Sequence, residues 1–477
     1  MSTSGSSMIY LDNAATSFPK APGLGRAMAA QIENFPGNPG RGTHAAALAA
    51  DRLLFDARDA VARAIGAPEP ARLIFTKGAT EALNIVLFGL LDRGSLSARP
   101  SSQGVAQKAD AALESRSAAI AHAQDRSVIA RQKDRPVIAC REDRSAPLVV
   151  TSSYEHNAVM RPLRWLEKHR GVKVFVLPFD EAGLPDEEAL EHALCLKPDL
   201  AVFTMASNVT GVVLPWEELS WQFHRAGSLV CLDGSQYIGH FPFDMSVTCA
   251  DFLCFPGHKG LLGPTGIGAL YLAGGPLPEP LVMGGTGSHS LSEEQPAELP
   301  DRFEAGTQNL AGAAGLLHAV NFVASVGLDA ICEREAYLTN RLIAGLSAIS
   351  GIRVYGPGLI HSERARSETL GQTEWKTDGM TSHRTGDRTD DQTFRPSDKH
   401  APVVSFLPEN LPLDIFAAEL DKRGVVARHG LHCAPEAHRT IGSVDFGGTV
   451  RFSPGYFTTE QEIDEALSIV EQISRHC

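Results

Sequence analysis

The chain has 477 residues, too many for one small core and enough for a two-domain or large-domain enzyme-sized body. Hydrophobic residues make up 43% and charged residues 21%, the ordinary balance of a soluble globular protein. A net charge of −13 argues against nucleic acid or an anionic membrane as the main partner, since both reward a basic surface.

The opening "MSTSGSSMIYLDNAAT" has no basic or apolar leader pattern, so no secretory signal is expected. From 72 to 272 apolar runs alternate with amphipathic ones. "RLIFT" precedes the helical "GATEALNIVLFGLL", "PLVVTSS" precedes "HNAVMRPLRWLEKH", and "VKVFVLPF" precedes "DEEALEHAL". Then come "DLAVFTMAS" and "PWEELSWQFHRAG", "SLVCLD", "DFLCF" and "GIGALYLA". This alternation predicts an α/β fold with a largely parallel sheet covered on both faces. Residues 260–278 are uncharged, but glycines and prolines break them too often for a membrane helix. After about Ala311 a long helical region to Ile349 leads into "IRVYG", "APVVSFLP", "LDIFAAELDKRG" and "GTVRFSP", which suggest a smaller α+β domain.

Two polar stretches fit neither part. Asp92–Pro147 has no aromatic residue and repeats itself as "DRSVIA", "DRPVIA" and "DRSAP"; Ser362–His400 is similarly polar. Both are expected to be disordered insertions. The organisation read from the sequence is an N-terminal segment 1–30 packing with the small domain, a large domain 31–315 and a small domain 316–477. Eight cysteines (140, 195, 231, 249, 254, 332, 433, 477) form no CxxC pair or regular framework, so reduced thiols and a cytoplasmic location are expected.

In an open α/β sheet, ligands sit beyond the carboxyl ends of the strands. Gly78-Ala79-Thr80 follows "RLIFT" and opens a helix, where free N–H groups and a hydroxyl can hold a phosphate. His156 follows "VVTSSYE", Asn208 follows "AVFTMAS", Asp233 ends "SLVCLD" with Gln236 one turn on, and His258 and Lys259 follow "DFLCFPG". A phosphate cradle, a flat ring, a buried carboxylate and a lysine are the parts that hold pyridoxal 5'-phosphate. The lysine carries its aldehyde as an imine, and the carboxylate keeps its pyridine nitrogen protonated. Burial keeps such a lysine neutral and reactive. Singly, each residue has a plainer explanation: a capping Asp, a core His, a lysine whose stem lies along the sheet edge. Five at successive strand ends leave that joint explanation improbable.

The stretches "YLDNAATSFPKAP", "GATEALN", "EHNAVMRPL", "SNVTG", "DGSQ", "GHKGLLGPTGIGALY", "FEAGTQN", "RHGLHCAPEAH" and "VRFSPGYFTTEQEID" resemble the class V aminotransferase superfamily. Within it they are most similar to group II cysteine desulfurases and selenocysteine lyases, from Tyr10 to about Ile473 apart from the two insertions. The resemblance implies a fold-type I pyridoxal-phosphate enzyme of the aspartate aminotransferase type, a homodimer with active sites near the subunit interface. It assigns Lys259 to the imine, His156 to stacking on the ring, Asp233 to the pyridine nitrogen, and Asn208 and Gln236 to the neighbourhood of the ring hydroxyl. Ala79, Thr80 and His258 correspond to phosphate holders, and Thr307 to a threonine reaching the partner subunit's phosphate. Arg451 corresponds to the clamp for the substrate carboxylate; Asn13-Ala14-Ala15 and His44 resemble loops lining the substrate cavity. Pro256 stands where many relatives have a hydroxyl on the phosphate, which removes one hydrogen bond.

Cys433 matches the catalytic cysteine, and transamination needs no thiol. The implied reaction takes L-cysteine to L-alanine and leaves a persulfide on Cys433 for a protein acceptor. Selenocysteine is an alternative substrate, and another class V transamination or β-elimination is an alternative reaction. His429 and His432 are expected to favour the thiolate. With His438 they also suggest zinc, but metal sites use separated, braced ligand pairs, and one crowded loop is a poor candidate. No metal is expected.

Overall fold

Short runs rich in β-branched and aromatic residues form the strands of a computed structural model that describes residues 8–34, 37–40, 42–92, 146–288, 291–356 and 400–475. In chain order they are β1 (Ile9–Tyr10), β2 (Leu73–Thr76), β3 (Leu148–Ser152), β4 (Lys173–Leu177), β5 (Leu200–Thr204), β6 (Leu229–Asp233), β7 (Phe252–Pro256), β8 (Gly268–Leu272), β9 (Ile352–Tyr355), β10 (Val404–Pro408), β11 (Val425–Val426), β12 (Arg428–Gly430) and β13 (Thr449–Phe452). The α-helices are α1 (Leu24–Asn34), α2 (Ala45–Ala64), α3 (Ala79–Leu91), α4 (Asn157–Arg170), α5 (Glu187–Cys195), α6 (Trp216–Arg225), α7 (Leu310–Val326), α8 (Leu328–Ala348), α9 (Leu413–Lys422), α10 (Pro435–Thr440) and α11 (Glu460–Arg475).

β2 to β8 make one seven-stranded sheet in the order β2-β8-β7-β6-β5-β3-β4. It is parallel except for β8, which runs antiparallel to β2 and β7. β3, β5, β7 and β8 are buried along their whole length, which explains why they read as unbroken apolar runs. One face packs on α3 and α4 through Leu83, Leu87, Leu163 and Leu166, the other on α2, α6 and α7 through Leu54, Phe223 and Leu316. This is the expected α/β architecture.

A four-stranded antiparallel sheet, order β12-β13-β10-β9, carries α8, α9 and α11 on a separate core of Leu342, Phe416, Phe452 and Ile469. β1 pairs in parallel with β11, and Ile9 and Leu11 enter this second core. The expected helical region from Ala311 to Ile349 is in fact two helices. α7 and α8 meet at Gly327, whose φ of 90° lies in the left-handed region that glycine takes at least cost, and their axes differ by 81°. No single described helix is long and apolar enough to cross a membrane.

The expected insertions Asp92–Pro147 and Ser362–His400 fall on residues outside the described ones except at their edges. There Asp92 pairs with Arg170 of α4, and His400 bridges to Val212. A buried ion pair anchors the outer strand: Arg58 of α2 meets Glu304 through two bonds of 2.8 Å, and Glu304 also accepts the Phe75 N–H of β2 at 2.7 Å. Removing one partner of such a pair costs about 3–5 kcal/mol, because the other charge stays buried alone.

Candidate active site

The carboxyl ends of β2, β3, β5, β6 and β7 open on a cleft of about 610 Å³, where this class of sheet binds ligands. Of the residues expected at a site, Ala79, Thr80, His156, Asn208, Asp233, Gln236, His258 and Lys259 line it together, as does Pro256. At one wall α3 begins at Gly78 with no side-chain cap, which leaves its first N–H groups for an anion. The strand behind must come close here: a Cβ at Gly268 would stand 2.7 Å from the Gly78 Cα.

Asp233 ends β6, is 3% exposed, and its Oδ1 accepts the Ser235 N–H at 2.9 Å. His156 caps α4, its Nδ1 accepting the Ala158 N–H at 3.0 Å. Burial pushes its pKa down to about 4, opposed by Asp233 and helped by Lys259. The ring is therefore neutral, with its proton on Nε2. His258 is likewise pushed down to about 4, by burial and then by the charges of Lys259 and Lys20, and its buried Nδ1 has no partner among the described residues.

Lys259 follows β7 on a loop held at both sides. Gly260 has no room for a side chain, since a Cβ would lie 2.5 Å from the Ile238 carbonyl. The His258 carbonyl accepts from Ser17 N at 3.0 Å and Lys20 Nζ at 2.8 Å. Burial pushes the Lys259 pKa from 10.5 to about 8, outweighing the opposing effect of Asp233 and reinforced by Arg451 and Arg428. A measurable consequence follows. If the neutral amine must attack the cofactor's aldehyde, uptake of pyridoxal phosphate by cofactor-free protein should speed up with pH and level off just above pH 8. A rate still climbing past pH 9 would mean an ordinary lysine.

The small sheet brings the remaining groups. Arg428 on β12 and Arg451 on β13 are register partners. Arg451 is 1% exposed; it donates through Nη2 to Asp12 Oδ1 at 2.7 Å and through Nη1 to the Asn208 carbonyl at 3.0 Å. The Cys433 loop is tied to Asn157 at the start of α4 and to Asn208 in the cleft lining. The Cys433 carbonyl accepts the Asn157 N–H at 2.7 Å, and the His432 carbonyl accepts from Asn208 Nδ2 at 2.7 Å. His432 and Cys433 both have positive φ, 47° and 59°, a conformation that non-glycine residues keep only where surroundings enforce it.

The partner of the thiol differs from the expected one. Arg428 Nη2 donates to Cys433 Sγ at 3.2 Å, whereas His429 is exposed. His432 is buried and held well below its ordinary pKa, so it is neutral. Its Nε2 donates to Thr449, which donates to Ser405, which donates to the Val209 carbonyl. His438 is bonded to Ser443.

Other expected residues stand away from the cleft lining. Thr307 lines a neighbouring hollow of about 230 Å³, and His44 caps α2 through its Nδ1. Asn13 bonds the Ser453 carbonyl, and the Ala14 carbonyl accepts from Gln236 Nε2 at 2.9 Å, so Gln236 ties the N-terminal segment to the cleft. Residues that the sequence reading did not single out are Asp12, Lys20, Arg428 and Glu155. Glu155 is fully buried beside His156, accepts from Ser152 and Thr204, and is pushed up to about 8 by burial. Asp12 and Lys20 needed contacts made across hundreds of residues, Arg428 needed a loop that turns back onto it within five residues, and Glu155 reads as one more polar residue beside a histidine.

The arrangement fits pyridoxal phosphate: an uncapped helix start and the unpartnered His258 nitrogen for phosphate, a neutral ring, a buried carboxylate, and a lysine of lowered pKa. The family model described as Aminotransferase class-V matches residues 9–101 and 144–371. A protein of Methanothermobacter thermautotrophicus named "Probable cysteine desulfurase" is 30% identical, covering 98% of this chain and 94% of that one. A Pyrococcus abyssi protein of the same name is 29% identical with the same coverage. Among solved structures, the apo cysteine desulfurase of Thermococcus onnurineus NA1 superposes with a TM-score of 0.72 at 27% identity, covering 98% of this chain and 95% of that one.

Proposed function

The chain belongs to the class-V aminotransferase family, and we propose on that premise that it is a pyridoxal-phosphate-dependent cysteine desulfurase. It takes L-cysteine to L-alanine and keeps the sulfur as a persulfide on Cys433. The observation that carries this reading is the thiol itself. Cys433 sits 3.2 Å from the Arg428 guanidinium, on a loop whose two carbonyls accept from Asn208 of the cleft lining and from Asn157 at the start of α4.

Ala79, Thr80 and His258 would hold the cofactor's phosphate, His156 its ring face, Asp233 its protonated nitrogen, and Lys259 its aldehyde carbon. When bound, pyridoxal phosphate supplies an aldehyde for the substrate amine and a ring that takes up the electron pair released at the substrate α-carbon. Arg451 orients the substrate carboxylate. The Lys259 amine, whose charged form burial disfavours, takes the α-proton and returns a proton to the carbon skeleton. The Arg428 guanidinium stands 3.2 Å from Cys433 Sγ and orients it as the nucleophile. The thiolate attacks the substrate sulfur: an S–S bond forms, the carbon–sulfur bond breaks, and its electron pair stays on the β-carbon, which gains a proton.

Residues 31–315 are read as the cofactor domain and 316–477, with segment 1–30 laid against it, as the domain carrying the thiol. A homodimer fits the exposed Leu48 and Phe55 on α2 and the hollow at Thr307, which a second copy would complete. The reading is tested by incubating the holoenzyme with L-cysteine and a thiol reductant. Alanine and sulfide should appear in equal amounts without any keto acid. Turnover that requires a keto acid points to transamination instead.

A further inference from the structure

The guanidinium assigned to the substrate carboxylate already holds a carboxylate of the chain itself. Asp12 Oδ1 takes Nη2 of Arg451 at 2.7 Å, the Asn208 carbonyl takes Nη1, and Nε is buried with no partner among the described residues. Nε and Nη2 form the edge on which a carboxylate binds with both oxygens. That edge therefore has one oxygen on one nitrogen and nothing on the other. A guanidinium as buried as Arg451 is costly without a counter-ion, more so with Arg428 opposite it in the sheet.

The main chain around Asp12 is fixed on both sides. β1 pairs with β11, Asp12 bridges Ser453, and the Asn13 side chain donates to the Ser453 carbonyl at 2.9 Å. Further on, the Ser17 N–H and Lys20 Nζ both donate to the His258 carbonyl, beside Lys259. The backbone on both sides of Asp12 is thus tied, to the clamp strand and to the loop of the cofactor lysine, and the Asp12 side chain is 20% exposed.

We propose that Asp12 is a resident stand-in for the substrate carboxylate, neutralising Arg451 until an amino acid arrives and yielding the Nε–Nη2 edge to it. This rests on Arg451 being the substrate clamp, as in the function proposed above. Asp12 is then a positioning residue that sets selectivity. A ligand must exchange one carboxylate for another, and its apparent affinity is lowered by the fraction of time the edge is occupied. A ligand without a carboxylate gains nothing from the exchange and is indifferent to it.

The test titrates holoenzyme with L-alanine and with L-alaninamide, which keeps the amine and shape but not the charge, following the cofactor's absorbance. In Asp12→Asn alanine should bind about tenfold tighter, while alaninamide should stay within about twofold of the parent. An unchanged or weaker alanine affinity, or equal shifts for both ligands, overturns the proposal. Asp12→Ser provides the same comparison if the asparagine variant does not fold. Neither ligand carries sulfur, so the result is independent of desulfuration. The clamp itself is judged separately by Arg451→Met: if the preference for alanine over alaninamide survives there, the clamp reading fails whatever Asp12 does.

Discussion

Cys433→Ala is expected to lower cysteine turnover by on the order of a thousandfold while the cofactor stays bound. The substitution removes the proposed sulfur acceptor. It touches none of the residues lining the cofactor cleft, since the side-chain contact of Cys433 is to Arg428 and its loop is held by backbone carbonyls. The variant should keep its absorbance band and still shift it when cysteine is added. Selenocysteine should retain more turnover than cysteine, because selenium leaves more readily and needs less help from a nucleophile. Parent-like release of alanine and sulfide from cysteine would make Cys433 structural.

Lys259→Ala should be at least as severe, abolishing detectable turnover, because the side chain both carries the cofactor and moves the proton; acid–base catalysis alone is worth about 10²–10⁴ in rate. The uncapped start of α3, His258, His156 and Asp233 remain, so cofactor should still bind, but without a covalent link. Borohydride should fix cofactor to the peptide containing Lys259 in the parent protein and to no peptide in the variant. Label on another lysine would sink the site assignment.

The parts of this site that were legible in the sequence are those at strand ends. Asp233, Lys259, Asn208 and His156 each follow an apolar run, and a parallel sheet aligns such ends without any knowledge of the loops. The antiparallel β8 was hidden within the same pattern, because a fully buried strand reads alike in either direction. The break at Gly327 was also hidden, since one glycine inside an apolar helical run does not announce a sharp turn. Pairings across the chain were not legible either. Arg428 next to Cys433 depends on β12 turning directly into a loop with two left-handed residues, neither of them glycine. Asp12 on Arg451 joins residues at opposite ends of the chain. For the thiol, histidines near in sequence were the natural choice, yet burial leaves His432 neutral and bonded to Thr449. His44 and Thr307 were expected from the resemblance, yet His44 caps α2 and Thr307 lines a neighbouring hollow, both away from the cleft lining.

The most direct test of sulfur transfer to Cys433 is a single turnover. Holoenzyme is mixed with an equal amount of L-cysteine without reductant, trapped by alkylation, and its peptides are weighed. The account predicts one additional sulfur on the peptide containing Cys433, matched by an equal amount of alanine. Alanine formed with no added sulfur there, or with the sulfur on a different cysteine, would contradict it.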